Sequence, residues 1–196
     1  MGMPLFRLLN WLTYNFWYLK RPPWDTNQSP PELLEFIKTH PVGKAVDLGC
    51  GTGKNCLTLA EAGWQTVGVD LALLAVQKAR NRFKLAGLEG RFHFGDILDD
   101  RFYPGEFDLV LDIGCYHNLP VDLRGHYRTN VVRWLKIGGC FLIYGHRLSL
   151  RDESVVRISE SDVVDFQQNL DLLKRENCHD RWGRETIWLS FTKTAR

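Results

Sequence analysis

The apolar positions change period several times along the chain, and each change predicts an element. Leu5, Leu8, Leu9, Leu12, Phe16 and Leu19 fall on one face of a helix within residues 1–20. Arg21-Pro22-Pro23-Trp24-Asp25 follows as a proline-stiffened turn that fixes Trp24. Ser29-Pro30-Pro31-Glu32 has helix-start chemistry, with Ser29 as the capping residue and proline in the first turn. Leu33, Leu34, Phe36 and Ile37 continue as a short amphipathic helix closed by His40-Pro41.

Beyond residue 40 short apolar runs alternate with helical stretches. Ala45-Val46 is the first strand, residues 54–62 a helix stopped by Gly63, and 66–69 a second, β-branched strand. A helix over 73–85 leads to a strand over 91–94, in which His93 reads as structural. The run over 107–112 is apolar enough for a parallel strand covered on both faces. A helix over 121–135, with Leu123, Tyr127, Val131, Trp134 and Leu135 inward, ends at Lys136-Ile137-Gly138-Gly139. A strand over 140–144, a loop over 148–158, a helix capped at Ser159 and running through Gln168, and strands over 171–178 and 184–192 complete the pattern. The fold class is α/β.

The densest chemistry lies between Ala45 and Asp70, which reads strand, tight glycine turn, helix, strand, carboxylate. Gly49, Gly51 and Gly53 stand at alternate positions, so the backbone can take unusual φ values and approach a ligand closely. Asp70 falls about 20 residues after the first glycine, where nucleotide-binding βαβ units set a carboxylate on ribose hydroxyls. A P-loop is excluded, because Gly53-Lys54 is followed by Asn55 and Leu48 occupies the first glycine position. A dinucleotide fingerprint is also broken, since the third glycine arrives one residue early. Asp47 ahead of the turn would repel phosphate and attract a cation. A ligand with a ribose and a positive amino group suits the loop.

VDLGCGTG with GVD downstream resembles the first motif and the following acidic position of class I S-adenosylmethionine-dependent methyltransferases. FHFGDILD (92–99), FDLVLDIGCYHNLP (107–120) and WLKIGGCFLIYGH (134–146) resemble that family's later blocks in order and spacing. The resemblance implies a three-layer Rossmann-like sandwich with a seven-stranded, mostly parallel sheet of order 3-2-1-4-5-7-6, the final strands pairing antiparallel. It implies S-adenosylmethionine as cofactor and S-adenosylhomocysteine as product. Carried over by position, Asp47, Gly49, Gly51, Gly53, Asp70 and Leu71 bind the cofactor, with Asp96 at the adenine amino group and Ile97 stacked on the ring. The W-x-x-x-x-x-P-W-D pattern is similar to the N-terminal segment of thiopurine, thiol, halide and tellurite methyltransferases, where aromatic residues cover the cofactor; Trp17 and Trp24 match. Residues 1–40 are then a cover segment on a methyltransferase domain over 41–196, within one domain overall. A packed helix and a membrane-surface helix are the other readings of residues 1–20. Ile113 stands where the thiopurine branch has Arg, and the [DN]-P-P-[YF] box of DNA amino-methyltransferases is missing.

Composition narrows the setting. The chain has 196 residues, enough for one core, and a net charge of +2, which marks no dedicated polyanion binder. Five cysteines without C-x-x-C spacing read as reduced thiols of a cytoplasmic protein. No apolar span reaches the length of a membrane helix, and neither a signal-peptide cleavage site nor a myristoylation motif at Met1-Gly2 is evident.

Methyl transfer from a sulfonium requires alignment and water exclusion more than covalent help. Asp112 lies at a strand's carboxyl end, where open α/β sheets bind ligands. The loop after it holds Tyr116 as a pocket residue and His117 as the candidate general base, its ordinary pKa suiting proton removal near neutrality. His146, after the fifth strand, is a second substrate-side candidate. Cys115, His117 and His146 lack a fourth ligand, so no metal is expected, and Cys50 and Cys56 belong to the nucleotide unit rather than to arsenic chemistry. The expected reaction methylates a small-molecule nucleophile at S, Se, Te, halide, N or O, by a monomer or homodimer with no nucleic-acid partner. A non-catalytic S-adenosylmethionine-binding module and an RNA or protein methyltransferase are the alternatives. For the latter, Arg124, Arg128, Arg133 and Arg147 would form a basic patch.

Overall fold

In the computed structural model the strands, numbered along the chain, form one seven-stranded sheet of order 3-2-1-4-5-7-6. The structure describes residues 5–99, 104–147 and 157–195, with side chains from residue 11 onward. Leu5, Leu8 and Leu9 side chains, Met1-Gly2 and most of the 148–158 loop lie outside the described residues. Two compact units, 1–99 and 100–196, are taken in turn.

The first unit contains α1 (Leu5–Leu19), α2 (Pro31–Thr39), β1 (Lys44–Leu48), α3 (Lys54–Glu61), β2 (Gln65–Asp70), α4 (Leu73–Ala86) and β3 (Arg91–Phe94). β1, β2 and β3 pair in parallel. Cys50, Cys56, Val76, Ala79, Phe83 and Phe92 form a buried cluster between helices and strands. His93 is exposed on β3.

Two expectations change here. The Leu12, Phe16 and Leu19 face of α1 is not its buried face: these side chains are 51%, 70% and 68% exposed. Polar contacts set the rotation instead. The Asn15 side-chain oxygen accepts the Leu74 N–H at the start of α4, and Lys78 Nζ donates to the Tyr18 carbonyl. Those bonds turn Trp11, Tyr14, Asn15 and Tyr18 inward, with Tyr18 and Tyr14 packed beside Ala72 and Ala75. Ser29 does not cap α2 either. Pro30 is the boundary residue, which leaves Ser29 one position too early, and its hydroxyl donates to Thr58 Oγ1 at 2.9 Å.

The second unit contains β4 (Phe107–Ile113), a 3₁₀ turn (Tyr116–Asn118), α5 (Val121–Trp134), β5 (Leu135–His146), α6 (Glu160–Gln167), β6 (Asp171–His179) and β7 (Glu185–Thr192). β4 and β5 are parallel, while β7 runs antiparallel to both β5 and β6. β5 begins five residues earlier than the 140–144 expectation. Leu135 is already extended, Gly138 takes φ +81°, and Gly138 and Gly139 exchange backbone hydrogen bonds with Lys193. The cation-plus-glycine signal therefore marks a bulge in a long strand, with Lys136 paired to Asp108.

Asp162 fastens the second unit. It accepts from the Tyr116 hydroxyl at 2.6 Å and from Arg124 Nη1 at 2.6 Å, and closes a capping box with Ser159. Burial pushes its carboxyl up, but the hydrogen bonds from Tyr116 and Ser159 and the Arg124 charge outweigh that and hold it below the ordinary value. Asp162→Ala strands Arg124, 4% exposed, without its partner and is expected to destabilise the fold by about 3–5 kcal/mol, read by chemical denaturation at pH 7. Because the folded value is depressed, the wild-type advantage is full above the unfolded carboxyl's pKa and shrinks as acid titrates the folded one.

Candidate functional site

The turn after β1 takes the conformation its glycines predict: Gly49, Gly51 and Gly53 have φ of 73°, 52° and 75°. Gly49 N–H and Cys50 N–H both donate to the Val69 carbonyl, which fastens the turn to β2. Asp70 completes the tie. One carboxylate oxygen accepts the Gly51 N–H at 2.8 Å and the other accepts the Ala72 N–H at 2.7 Å. Burial raises the Asp70 carboxyl to about 6, against the lowering effect of those two N–H groups. Each oxygen keeps a further lone pair, so the carboxylate can shape the turn and accept hydroxyl donors together.

Asp47 is buried in β1, and the Cys56 thiol donates to it across 3.7 Å. Cys50 and Cys56 are buried under the turn. The Cys50 thiol is raised by its hydrogen bond with Cys56 and by burial; at Cys56 the lowering from Cys50 is outweighed by burial and the Asp47 carboxylate together, so that thiol is raised as well. Past β3, Asp96 accepts the Leu98 N–H at 2.9 Å, Ile97 is buried, and Gly95 N–H reaches the Asp70 carbonyl. Leu71 is half-buried beside Asp70. Hence Asp47, Gly49, Gly51, Gly53, Asp70, Leu71, Asp96 and Ile97 lie in or just beyond the three parallel strands of the first unit.

Trp17 and Trp24 pack on each other with ring centroids 5.3 Å apart, each close to half exposed. Beneath them stands a residue that sequence reasoning passed over. Tyr18 is buried, accepts a hydrogen bond from the Trp24 indole, and has its hydroxyl so close to Gly51 that a Cβ there would meet it at 2.8 Å. Asp25 holds the other side by accepting from the Thr52 hydroxyl at 2.6 Å. The signal for Tyr18 was its place seven residues before Asp25, facing the opposite way from the leucine stripe. Its phenol is pushed far up by burial and by Asp70, so it stays a neutral donor.

In the second unit Asp112 is fully buried, and its oxygens accept from Cys115 N–H, Tyr116 N–H and the Tyr127 hydroxyl. It braces the loop after β4 from within. Tyr116 is likewise buried, its hydroxyl committed to Asp162, rather than lining a pocket. His117 remains half-buried. Its Nδ1 accepts the His146 N–H at 3.3 Å, and its ring stacks on His146 with centroids 4.9 Å apart. Burial, then His146 and Arg124, Arg184 and Arg157, lower its pKa to about 3. A ring whose Nδ1 lone pair is engaged and which resists a proton this strongly does not suit the general-base role expected of it. His146 is also lowered, mainly by burial, so its 3.6 Å approach to Asp180 joins an uncharged ring and a carboxylate. Among the described residues no group of three metal-ligating side chains occurs.

The arginines do not form a free basic patch. Arg124 and Arg128 pair with Asp162 and Asp165, and Arg147 with Glu160. No helix among the described residues is long and apolar enough to cross a membrane.

Comparison with known proteins agrees with the geometry. Residues 45–139 match the methyltransferase domain family. The chain is 36% identical over 125 residues to the 2-heptyl-1-hydroxyquinolin-4(1H)-one methyltransferase of Mycobacteroides abscessus, covering 63% of this chain and 55% of that protein. It is 28% identical over 128 residues to the probable thiol methyltransferase 2 of Arabidopsis thaliana, covering 63% of this chain and 56% of that protein. The chain thus spans about half the length of these curated relatives. The 1,6-didemethyltoxoflavin-N1-methyltransferase of Burkholderia thailandensis, solved with 1,6-didemethyltoxoflavin and S-adenosylhomocysteine, shares the fold at TM-score 0.81 and 17% identity, over 100% of this chain and 94% of that one.

The latch of Tyr18 and Asp25 on the turn is open to test. Asp25→Ala is expected to speed limited proteolysis between residues 17 and 28 by roughly 5- to 10-fold, the loss of about one hydrogen bond, while thermal unfolding of the remainder changes little. An unchanged cleavage rate would show that Thr52 does not hold the segment.

Proposed function

We propose that the chain is a class I S-adenosylmethionine-dependent methyltransferase, which its match to the methyltransferase domain family over residues 45–139 supports, and that it transfers a methyl group from that cofactor to a small-molecule nucleophile. The observation that carries the reading is the Asp70 carboxylate, which holds the glycine turn by two backbone N–H groups and has acceptor capacity left for vicinal hydroxyls. The residues suit an adenosine with a cationic amino acid tail. A turn of three positive-φ glycines admits close approach, Asp47 supplies negative charge ahead of it, and Ile97 offers an apolar face after β3.

When bound, S-adenosylmethionine supplies a methyl carbon on a sulfonium, which an incoming lone pair displaces in line while the breaking C–S electron pair stays on sulfur. The chain's own part is to bind, align and exclude water. Asp70 accepts hydroxyl protons, Asp96 offers its carboxylate, and Trp17, Trp24 and Tyr18 cover the turn. Burial and neighbouring guanidinium groups keep His117 from gaining a proton, so it is a poor general base. The favoured acceptors therefore bring their own available lone pair: a thiolate, an acidic N-hydroxyl or phenol, or a neutral amine. The quinolone and thiol relatives support this range. An alternative reading, a binding module without transfer, separates from this one by turnover.

Calorimetry should show S-adenosylhomocysteine binding to the folded chain, and S-adenosylmethionine should be consumed with at least one acceptor from a panel of aromatic thiols, N-hydroxyquinolones and amines; absence of binding removes the reading, and binding without turnover leaves the module. Asp70→Ala is expected to weaken cofactor binding by about 1–3 kcal/mol. The wild-type affinity should also fall as pH drops below about 6, where the raised Asp70 carboxyl gains its proton and one oxygen ceases to accept; Asp70→Asn should flatten that dependence.

A further inference from the structure

The stripe of Leu12, Phe16 and Leu19 on α1 faces away from the protein. Asn15, bonded to the Leu74 N–H, and Lys78, bonded to the Tyr18 carbonyl, hold another side of the helix against α4. The three apolar side chains follow one another at helical spacing and stay more than half exposed. Trp17 and Trp24, paired ring to ring, add two half-exposed indoles at the same end of the helix. In the sequence the same period starts at Leu5, Leu8 and Leu9. Of the 15 large apolar side chains left exposed among the described residues, five fall within residues 12–24, so this face is a patch rather than a scatter of single contacts with water.

Charge singles out what covers this face. Residues 1–24 hold Arg7, Lys20 and Arg21 and no carboxylate side chain. Residues 71–88, which include α4, hold Lys78, Arg80, Arg82 and Lys84 and again none. The two segments carry seven of the chain's 25 Lys and Arg and none of its 23 Asp and Glu, which leaves the remainder at net −5, 18 against 23. The first carboxylate after α1, Asp25, accepts from the Thr52 hydroxyl. Two packed helices without a carboxylate set a positive field around an apolar stripe, and an anionic surface with an apolar interior meets both. A second copy of the chain would bring the same seven cations against themselves, which like-charge repulsion disfavours. At 15 residues the helix is too short to cross a bilayer, so the face suits lying along one.

We propose that α1 docks on the surface of an anionic phospholipid bilayer. Leu12, Phe16 and Leu19 enter the boundary between headgroups and acyl chains, Trp17 and Trp24 sit at headgroup depth, and Lys20 and Arg21 meet lipid phosphates. Arg21 Nε donates to the Asp25 carbonyl at 2.9 Å, which anchors that guanidinium at the end of the helix. The cations of α4, packed beside α1, add a longer-range attraction that salt screens. No bond forms or breaks in this attachment, and it holds whether or not the chain transfers methyl groups.

Flotation of the full chain with lipid vesicles is the test. Vesicles of phosphatidylcholine with about 30% phosphatidylglycerol should carry the chain upward, and vesicles of phosphatidylcholine alone should bind it at least about tenfold less. Raising the salt from about 0.1 M to about 0.5 M should weaken the anionic binding several-fold. Leu12→Ser, Phe16→Ser and Leu19→Ser combined should lower vesicle affinity by about 30-fold or more. Lys20→Glu, which leaves the apolar stripe intact, should lower it by about 5- to 30-fold. All four side chains are exposed, so both variants should keep the wild-type thermal midpoint, which separates lost binding from lost folding. Should the triple variant lose that midpoint, Phe16→Ser alone and Lys20→Glu decide the matter by the same flotation. Absence of flotation with anionic vesicles, equal binding to both kinds of vesicle, or undiminished binding by the folded variants each overturn the proposal. So does a wild-type dimer, seen by light scattering without lipid, that the triple substitution makes monomeric, because the stripe then belongs to a second copy.

Discussion

The first unit depends on one carboxylate receiving two backbone N–H groups. Asp70 ends β2, and its oxygens take the Gly51 N–H of the turn and the Ala72 N–H ahead of α4. Strand, turn and helix are thereby set by a single side chain within a buried, low-dielectric environment, where such bonds are strong and an unmet acceptor is expensive. The surrounding contacts follow from its placement. Tyr18 reaches the same turn from α1, Thr52 is engaged by Asp25, and Gly95 bonds to the Asp70 carbonyl. Burial opposes the charge that makes this work, which is why its carboxyl sits near 6 rather than in the usual carboxylate range.

The second unit solves a different problem, which is how to seat charged groups inside a loop-rich layer. Asp112 supports the loop after β4, and Asp162 draws Tyr116, Arg124 and the start of α6 together. With the two carboxylates spent on structure, the exposed chemistry of that region passes to His117 and His146. Their neutrality follows from burial and from the nearby guanidinium groups. The division of labour gives a polar but weakly basic surface.

Much of this was legible in the residues. The glycine turn, the strands on either side of it and the Ser159 cap are local signals that survive folding. The sheet order came with the four motif blocks, not from periodicity. What escaped was decided by contacts between distant segments. The rotation of α1 is set by Asn15 bonding to Leu74 and Lys78 bonding to Tyr18, each across about sixty residues of chain, so the leucine stripe gave the wrong face. Asp112 and Tyr116 were singled out by where they stand in the sequence, and their hydrogen-bond partners, Tyr127 and Asp162, come from distant segments that no local pattern shows. His117 was singled out for its ordinary pKa, and only its surroundings remove that property.

The fate of the five thiols has a practical side. Cys50, Cys56 and Cys140 are buried and pushed up in pKa, which leaves them poor nucleophiles toward alkylating reagents. Cys115 and Cys178 alone are partly open. Replacing Cys178 with serine leaves a maleimide dye one accessible target, two residues from His117, and turns the chain into its own fluorescent reporter of what arrives beside that ring.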